Sequence, residues 1–315
     1  MGLGPIGQAI ARAALEDSGF HLVAAVDPAL AGRRLDEVLG AGPALTIASE
    51  PRKAFAAARG GVVLHATGSS FERVAPELEA AAEAGLSVVS TCEELAWPWL
   101  RFEELARRLD ALAEAREVGI VGVGVNPGFA LDRLPAFLSH VTGPVRHVRA
   151  LRVQDAALRR EALRRKVGVG MEPEAFDAAN ERDEVGHVGL AESAALAAAG
   201  CGFEVDEVEV ETAPMLAEED IDGPAPVRRG HVAGVHQVAR GFVDETERVR
   251  LELVIAVGAE DPRDEVELDA RPPVKVLIRG GFPGDEATAW AVVHAVPAVL
   301  ERHGLLSVLD LPAGR

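Results

Sequence analysis

Two patterns of apolar and polar positions divide the 315-residue chain. In the first part, short continuous apolar runs alternate with longer Ala- and Leu-rich stretches carrying charge on one side. Runs of the first kind suit strands buried on both faces, and the second kind suits amphipathic helices. The pattern predicts a helix from Gln8 to Leu15, a strand from Phe20 to Val26 and a helix from Ala31 to Gly40. It continues with a strand from Gly61 to Gly68, a helix from Glu72 to Gly85, a strand from Leu86 to Thr91, a helix from Phe102 to Arg116 and a strand from Val118 to Val123. Regular strand–helix alternation predicts a parallel α/β domain. Near Leu134 to Leu138 the pattern changes. Val145 to Val153 reads as a strand, and beyond a polar helical region Val205 to Thr212, His231 to Val243 and Val249 to Val257 follow with short gaps. That spacing predicts a second, α+β domain with a largely antiparallel sheet. Gly281 to Arg302 reads as a helix beginning at Asp285. The expected organisation is a first domain over 1–132, a second over 133–280, and a helix and tail over 281–315 packing back on the first.

The first dozen residues add a motif. Gly2, Gly4 and Gly7 have the spacing G-x-G-x-x-G ahead of the first helix. In a dinucleotide site such glycines supply a tight turn, room for a pyrophosphate and close helix–strand packing, while the helix N-terminus attracts the phosphates. Gly2, Gly4, Pro5, Ile6 and Gly7 are therefore candidate cofactor residues in a Rossmann-type sheet. Asp27 stands twenty residues after Gly7, at the end of the next strand, where a carboxylate meets ribose hydroxyls; the alternative is a simple Asp-Pro turn. Asp27 favours NAD over NADP, although Arg33 or Arg34 could instead touch a 2′-phosphate or be plain solvated helix residues. Ala66 and Thr67, in the small-residue turn into which the Gly61 to Gly68 strand runs, are expected to line the cofactor. A buried strand should precede such a fingerprint, and Met1 stands where it would end, so the sheet is expected to lack its first strand.

Composition narrows the classes. The net charge of −18 argues against nucleic acid as a partner. There is no tyrosine, which excludes a Tyr-Lys acid/base pair, and the three lysines, Lys53, Lys166 and Lys275, lack a glycine-rich catalytic context. Cys92 and Cys201 give neither a disulfide framework nor a zinc spacing. No apolar run has the length of a membrane span and no signal peptide is evident, so a cytoplasmic enzyme without membrane attachment is expected.

Thr91-Cys92-Glu93-Glu94 followed by Trp97-Pro98-Trp99 places two carboxylates and bulky apolar groups at a strand's carboxyl end. Burial beside aromatics suits a carboxylate to proton transfer, and a carboxylate near a nicotinamide can hold an ammonium or stabilise an iminium. The alternative is an acidic first helical turn. Cys92 has no basic neighbour to activate it and reads as a buried small residue. Gly124-x-Asn126-Pro127-Gly128 is either a turn or a place where Asn126 binds nicotinamide or substrate. His187, between Gly186 and Gly189, is a pocket candidate, with Glu192 and Ser193 as caps for the following helix. His231, His236 and His294 are too scattered for a metal site, and none is expected.

These motifs, Gly2-x-Gly4-x-x-Gly7, Cys92-Glu93-Glu94-Leu95-x-x-Pro98-Trp99, Gly124-x-Asn126-Pro127-Gly128-Phe129 and Gly186-His187-x-Gly189-x-x-Glu192-Ser193, resemble those of 2,4-diaminopentanoate dehydrogenases and the related native amine dehydrogenases, in the dihydrodipicolinate-reductase-like group. The ending Gly281 to Pro312 resembles the same family. The resemblance implies a Rossmann domain plus an α/β domain covering the nicotinamide, usually in a homodimer. It further implies reversible NAD(P)-dependent oxidative deamination of an amine or diamino acid to a ketone and ammonia. The family's pocket glutamate falls on Glu93 or Glu94, with Glu93 favoured, and Trp97, Trp99, Asn126 and His187 would shape the substrate pocket. The rival readings are a reductase of another C=N or C=O substrate and a non-catalytic nucleotide-binding module.

Overall fold

The computed structural model describes residues 1–157 and 159–314. It divides into two compact units, one formed by Met1–Phe129 with Pro283–Arg315, the other by Ala130–Phe282.

In the first unit the chain runs through α1 (Pro5–Glu16), α2 (Leu35–Leu39), α3 (Pro51–Ala57), β1 (Val62–His65), α4 (Phe71–Glu83), β2 (Ser87–Ser90), α5 (Glu103–Ala115) and β3 (Gly119–Gly122). The second unit contributes α6 (Arg133–Ser139), β4 (His147–Asp155), α7 (Glu161–Lys166), α8 (Pro173–Asn180), α9 (Leu190–Gly200), β5 (Glu207–Leu216), β6 (Val232–Val243), β7 (Thr246–Ala256), β8 (Arg263–Asp269) and β9 (Val274–Arg279). The chain then returns to the first unit as α10 (Gly284–Leu300) and β10 (Gly304–Leu306).

The first unit's sheet has the order β1-β2-β3-β10 with every pair parallel. Each strand is only three or four residues long. Val88 and Ile120 point into a core shared with Leu78 of α4 and Leu109 of α5. The adjacent strand positions face the other way, where α10 packs on β1, β2 and β3 and against α1. Gly119 permits that approach, since a Cβ there would stand 2.5 Å from the Val299 carbonyl oxygen. Covering both faces explains why these strands read as unbroken apolar runs.

Two expectations need correction. Phe20 to Val26 is extended but forms no regular strand; it makes one bridge, Val26 to Ala48. A strand exists by its ladder, and the backbone of this segment meets Ala48 on one side and the Met1–Leu3 turn on the other. There the Gly2 N–H donates to the Val26 carbonyl, while the Ala66 N–H donates to the Met1 carbonyl. Below that crossing, an apolar groove of about 130 Å³ lies between Phe20–Val26 and Val62–Leu64, floored by Ile10 and Ala14 of α1. The helix expected from Ala31 to Gly40 is also shorter. Pro28–Leu30 is a 3-10 turn capped by Asp27, and the helix begins at Leu35, because Arg34 is drawn into a bridge with Thr46.

The second unit's six-stranded sheet has the order β5-β6-β7-β4-β8-β9. Only β4–β7 is parallel; the other four pairings are antiparallel. Val148, Ala150, Leu251, Leu253 and Ala239 face one large core with Leu190 and Ala194 of α9. In that face the fully buried Arg152 donates from Nη1 to both carboxylate oxygens of Asp264 (2.7 and 2.6 Å) and from Nη2 to the Phe282 carbonyl (2.7 Å). Among the described residues, no helix is long and apolar enough to cross a membrane.

Candidate active site at the strand ends of the first unit

The glycine loop is built as its spacing implies. Gly2 has φ +78°, and a Cβ there would stand 2.5 Å from the Ala66 carbonyl oxygen. A Cβ on Gly7 would stand 1.8 Å from the Gly2 carbonyl oxygen, so α1 seats against the turn only because Gly7 lacks a side chain. Gly4 has open space where its side chain would be. Gly4 is also the N-cap of α1, Pro5 follows it, and no side chain caps this end. The unfilled N–H groups and the positive dipole end thus face open space, the arrangement that accepts phosphate.

Asp27 ties this loop to the next segment. Its Oδ2 accepts the Leu3 N–H (2.7 Å), and its Oδ1 accepts the Ala29 and Leu30 N–H groups (2.8 and 3.2 Å). The carboxylate is therefore oriented by backbone beside the loop. Arg33 is exposed, whereas Arg34 is bound to Asp36 (2.6 Å) and Glu37 (3.7 Å).

The carboxyl ends of β1, β2 and β3 lie side by side and lead into the other predicted residues. After β1, Ala66 and Thr67 adjoin the glycine loop, and a Cβ on Gly2 would stand 3.1 Å from Thr67 Cγ2. After β2, Glu93–Ala96 forms a 3-10 turn. Gly122 of β3 makes room for it, since a Cβ there would stand 2.6 Å from the Leu95 carbonyl carbon.

The two glutamates of this turn differ. Glu94 is buried; its Oε2 accepts the Phe71 N–H at the start of α4 (2.7 Å), and its Oε1 pairs with Arg101 (3.3 Å). It behaves as a borrowed cap for α4, filling an orphan donor of the first turn. Glu93 is half-buried in the same turn. Trp97 and Trp99 follow, half-buried, with rings edge to face at 5.1 Å. Cys92 donates its thiol hydrogen to the Ser69 carbonyl, and burial pushes its pKa up to about 12, which keeps it a thiol and no nucleophile.

After β3 the chain makes a tight loop. The Asn126–Pro127 peptide is cis, and Gly128 has φ +119° with its backbone against Gly124. The Val125 N–H donates to Thr288 Oγ1 of α10 (3.2 Å). Asn126 is buried, yet neither its Nδ2 nor its Oδ1 has a hydrogen-bond partner. A buried amide lacking both partners costs of order 1–3 kcal/mol or more, so such a group calls for a ligand with one donor and one acceptor. A carboxamide has both, and these residues fit a nicotinamide.

His187 belongs to the second unit. Its N–H donates to Gln237 Oε1 (2.6 Å), and its ring Nδ1 is buried without a partner. Burial, then the cations Lys166, Arg152 and Arg159, hold its pKa down to about 3, so the ring is neutral. The expected caps differ: Gly189 is the N-cap of α9, no side chain caps that end, and Ser193 inside the helix donates to the buried Asp132 (2.7 Å).

Sequence reasoning missed a hydrogen-bonded chain of His65, Glu77 and Ser90 beneath Thr67. Its members come from β1, α4 and β2, and no motif joins residues so spaced.

Comparison with known proteins shows the family and the fold. Residues 129–315 match the family model described as the 2,4-diaminopentanoate dehydrogenase C-terminal domain. The chain is 26% identical over 263 residues to the 2,4-diaminopentanoate dehydrogenase of Acetoanaerobium sticklandii, covering 81% of this chain and 74% of that protein. Among solved structures, the amine dehydrogenase from Mycobacterium smegmatis superposes with a TM-score of 0.87 at 21% identity, over 99% of this chain and 94% of that one. The WlbA dehydrogenase from Bordetella pertussis, solved with NADH and UDP-GlcNAcA, superposes with a TM-score of 0.56 at 17% identity, over 98% and 91% of the two chains.

Proposed function

Because the chain belongs to the 2,4-diaminopentanoate dehydrogenase family, we propose that it is an NAD(P)-dependent oxidoreductase that deaminates an amine or diamino acid to a ketone and ammonia, and runs in reverse as a reductive aminase. The observation that carries the cofactor half is Asn126, a buried amide with both polar atoms unpartnered at the end of a parallel strand. The cofactor, when bound, accepts the hydride in deamination and supplies it in amination.

The protein's residues do the rest. Gly2, Gly4 and Gly7 let the backbone approach the pyrophosphate, and the uncapped start of α1 supplies N–H donors to it. Asp27, already fixed by three backbone N–H groups, offers remaining lone pairs to ribose hydroxyls; its negative charge disfavours a 2′-phosphate, which makes NAD the preferred form. Asn126 holds the carboxamide and so fixes which face of the ring is presented. Glu93 accepts hydrogen bonds from the amino group of the substrate, which gives up hydride as the neutral amine, and offsets the positive charge of the resulting iminium; water then adds to the iminium to release ketone and ammonia. Glu94 is excluded from that role by its engagement with Phe71 and Arg101. Trp97 and Trp99 give the turn an apolar wall beside the carbon that exchanges hydride. Holding amine and cofactor together removes the orientational cost of a free encounter.

The test is deamination by purified protein with 2,4-diaminopentanoate and NAD⁺, read as NADH formation. Wild-type turnover is expected, with a loss of at least roughly a hundredfold in Glu93→Gln, in line with removal of a charge that stabilises the transition state. Equal turnover in the two proteins would remove Glu93 from the mechanism.

A further inference from the structure

We propose that Ser90, His65 and Glu77 form a buried positioning chain that makes Thr67 an obligate hydrogen-bond acceptor for the cofactor. This rests on the reading of the strand ends as an NAD(P) site.

The chain has one consistent direction. The Cys92 N–H can only donate, and it donates to Ser90 Oγ (3.1 Å). His65 Nε2 faces Glu77 Oε2 (2.8 Å), a carboxylate oxygen that can only accept, so the ring proton lies on Nε2. The other ring nitrogen, Nδ1, therefore accepts the Ser90 hydroxyl hydrogen (2.8 Å). Thr67 Oγ1 donates its hydrogen to the same Glu77 oxygen at 2.6 Å and also lies 2.8 Å from His65 Nε2. Charges fit this order. Burial holds the His65 ring below its usual pKa and therefore neutral, and the His65 hydrogen bond holds the Glu77 carboxyl below the usual carboxylate range and therefore ionised.

Ser90 and His65 are almost wholly buried, Glu77 is half-buried and Thr67 is exposed. The chain therefore starts in the interior and ends at a hydroxyl on the surface beside Gly2. Serine, histidine and glutamate in this order also make hydrolytic triads. Here Ser90 has no access to a substrate and faces the ring at Nδ1, so the arrangement positions and does not attack.

The consequence lies at Thr67. Its hydrogen is committed to Glu77 and one lone pair shares the His65 N–H, which leaves one lone pair pointing outward. Such a group accepts from a ribose hydroxyl or a carboxamide N–H and repels a phosphate oxygen. The same chain joins the turn after β1 to Cys92, the residue before Glu93, so the cofactor turn and the substrate turn are set by one network.

The test is NADH titration of the full chain, read by nicotinamide fluorescence. Thr67→Val should weaken NADH binding roughly tenfold, the upper range for one neutral hydrogen bond, and Thr67→Ser should bind as the wild type does. Glu77→Gln, whose amide N–H takes the free lone pair of Thr67, should weaken binding similarly. Placed on Thr67→Val, Glu77→Gln should add less than twofold, because both changes remove one interaction. A purely structural Glu77 would lower the melting temperature without this non-additivity. The proposal is overturned by Glu77→Gln binding NADH like the wild type, or by its effect multiplying fully with Thr67→Val. If Glu77→Gln does not fold, equal NADH binding by Thr67→Val and Thr67→Ser overturns the proposal instead. A wild-type chain that binds neither NADH nor NADPH would overturn the nucleotide reading itself, and the chain's role with it.

Discussion

At the scale of residues, Glu93 and Glu94 show how adjacent identical side chains acquire different work. Glu94 reaches across to a helix start 23 residues earlier in the chain. That long-range contact cannot be seen in a sequence, where only its place nearer the strand end favours Glu93. Glu94→Ala should cost about 1–2 kcal/mol of stability, the usual price of a lost helix cap, with an additional part from Arg101; a thermal melt unchanged by the substitution would contradict the capping role. His187 yields a second expectation. Its folded pKa of about 3 lies below the ordinary imidazole value of 6.5, so between those values the unfolded chain binds a proton that the folded chain refuses. Stability is therefore unaffected by this group above about pH 6.5 and falls as pH drops toward 3, by at most about 1.4 kcal/mol per pH unit. Urea midpoints measured from pH 7 to pH 4 should decline less steeply in His187→Asn; parallel declines would show that this ring does not titrate as described.

At the scale of elements, the site is a set of strand ends held at close quarters by residues without side chains. Gly122 is the clearest case, because the turn bearing Glu93 rests on the backbone of β3. Gly122→Ala should push that turn away at roughly 1–3 kcal/mol, the range for overpacking, and should lower turnover far more than it lowers NADH binding. Full activity in this variant would mean that the seat of the turn does not matter. Most helices and the buried strands were legible, since 3.6-residue periodicity and unbroken apolar runs report burial directly. Phe20 to Val26 failed for a physical reason: its composition is that of a strand, but strand pairing depends on neighbours. The strands β8 and β9 were not foreseen, because Arg263–Asp269 is mostly charged and Val274–Arg279 follows two prolines. Their alternation of exposed and covered positions is plain only once each has a partner in the sheet.

At the scale of the whole molecule, the glycine loop, the uncapped start of α1 and the unpartnered amide of Asn126 are features of the same unit, and family membership adds an amine as the substrate class. The acidic net charge of −18 is consistent with a small cationic substrate and unsuited to a polyanion. The second unit contributes the neutral His187 and the large mixed sheet, and it contains most of the segment matched by the family model. The measurement that tests the central claim most directly is NADH oxidation by the purified protein with a panel of small ketones and 2-amino-4-oxopentanoate, with and without ammonium. Turnover that depends on ammonium is expected. Oxidation of NADH at the same rate without ammonium would make the protein a carbonyl reductase and contradict that claim.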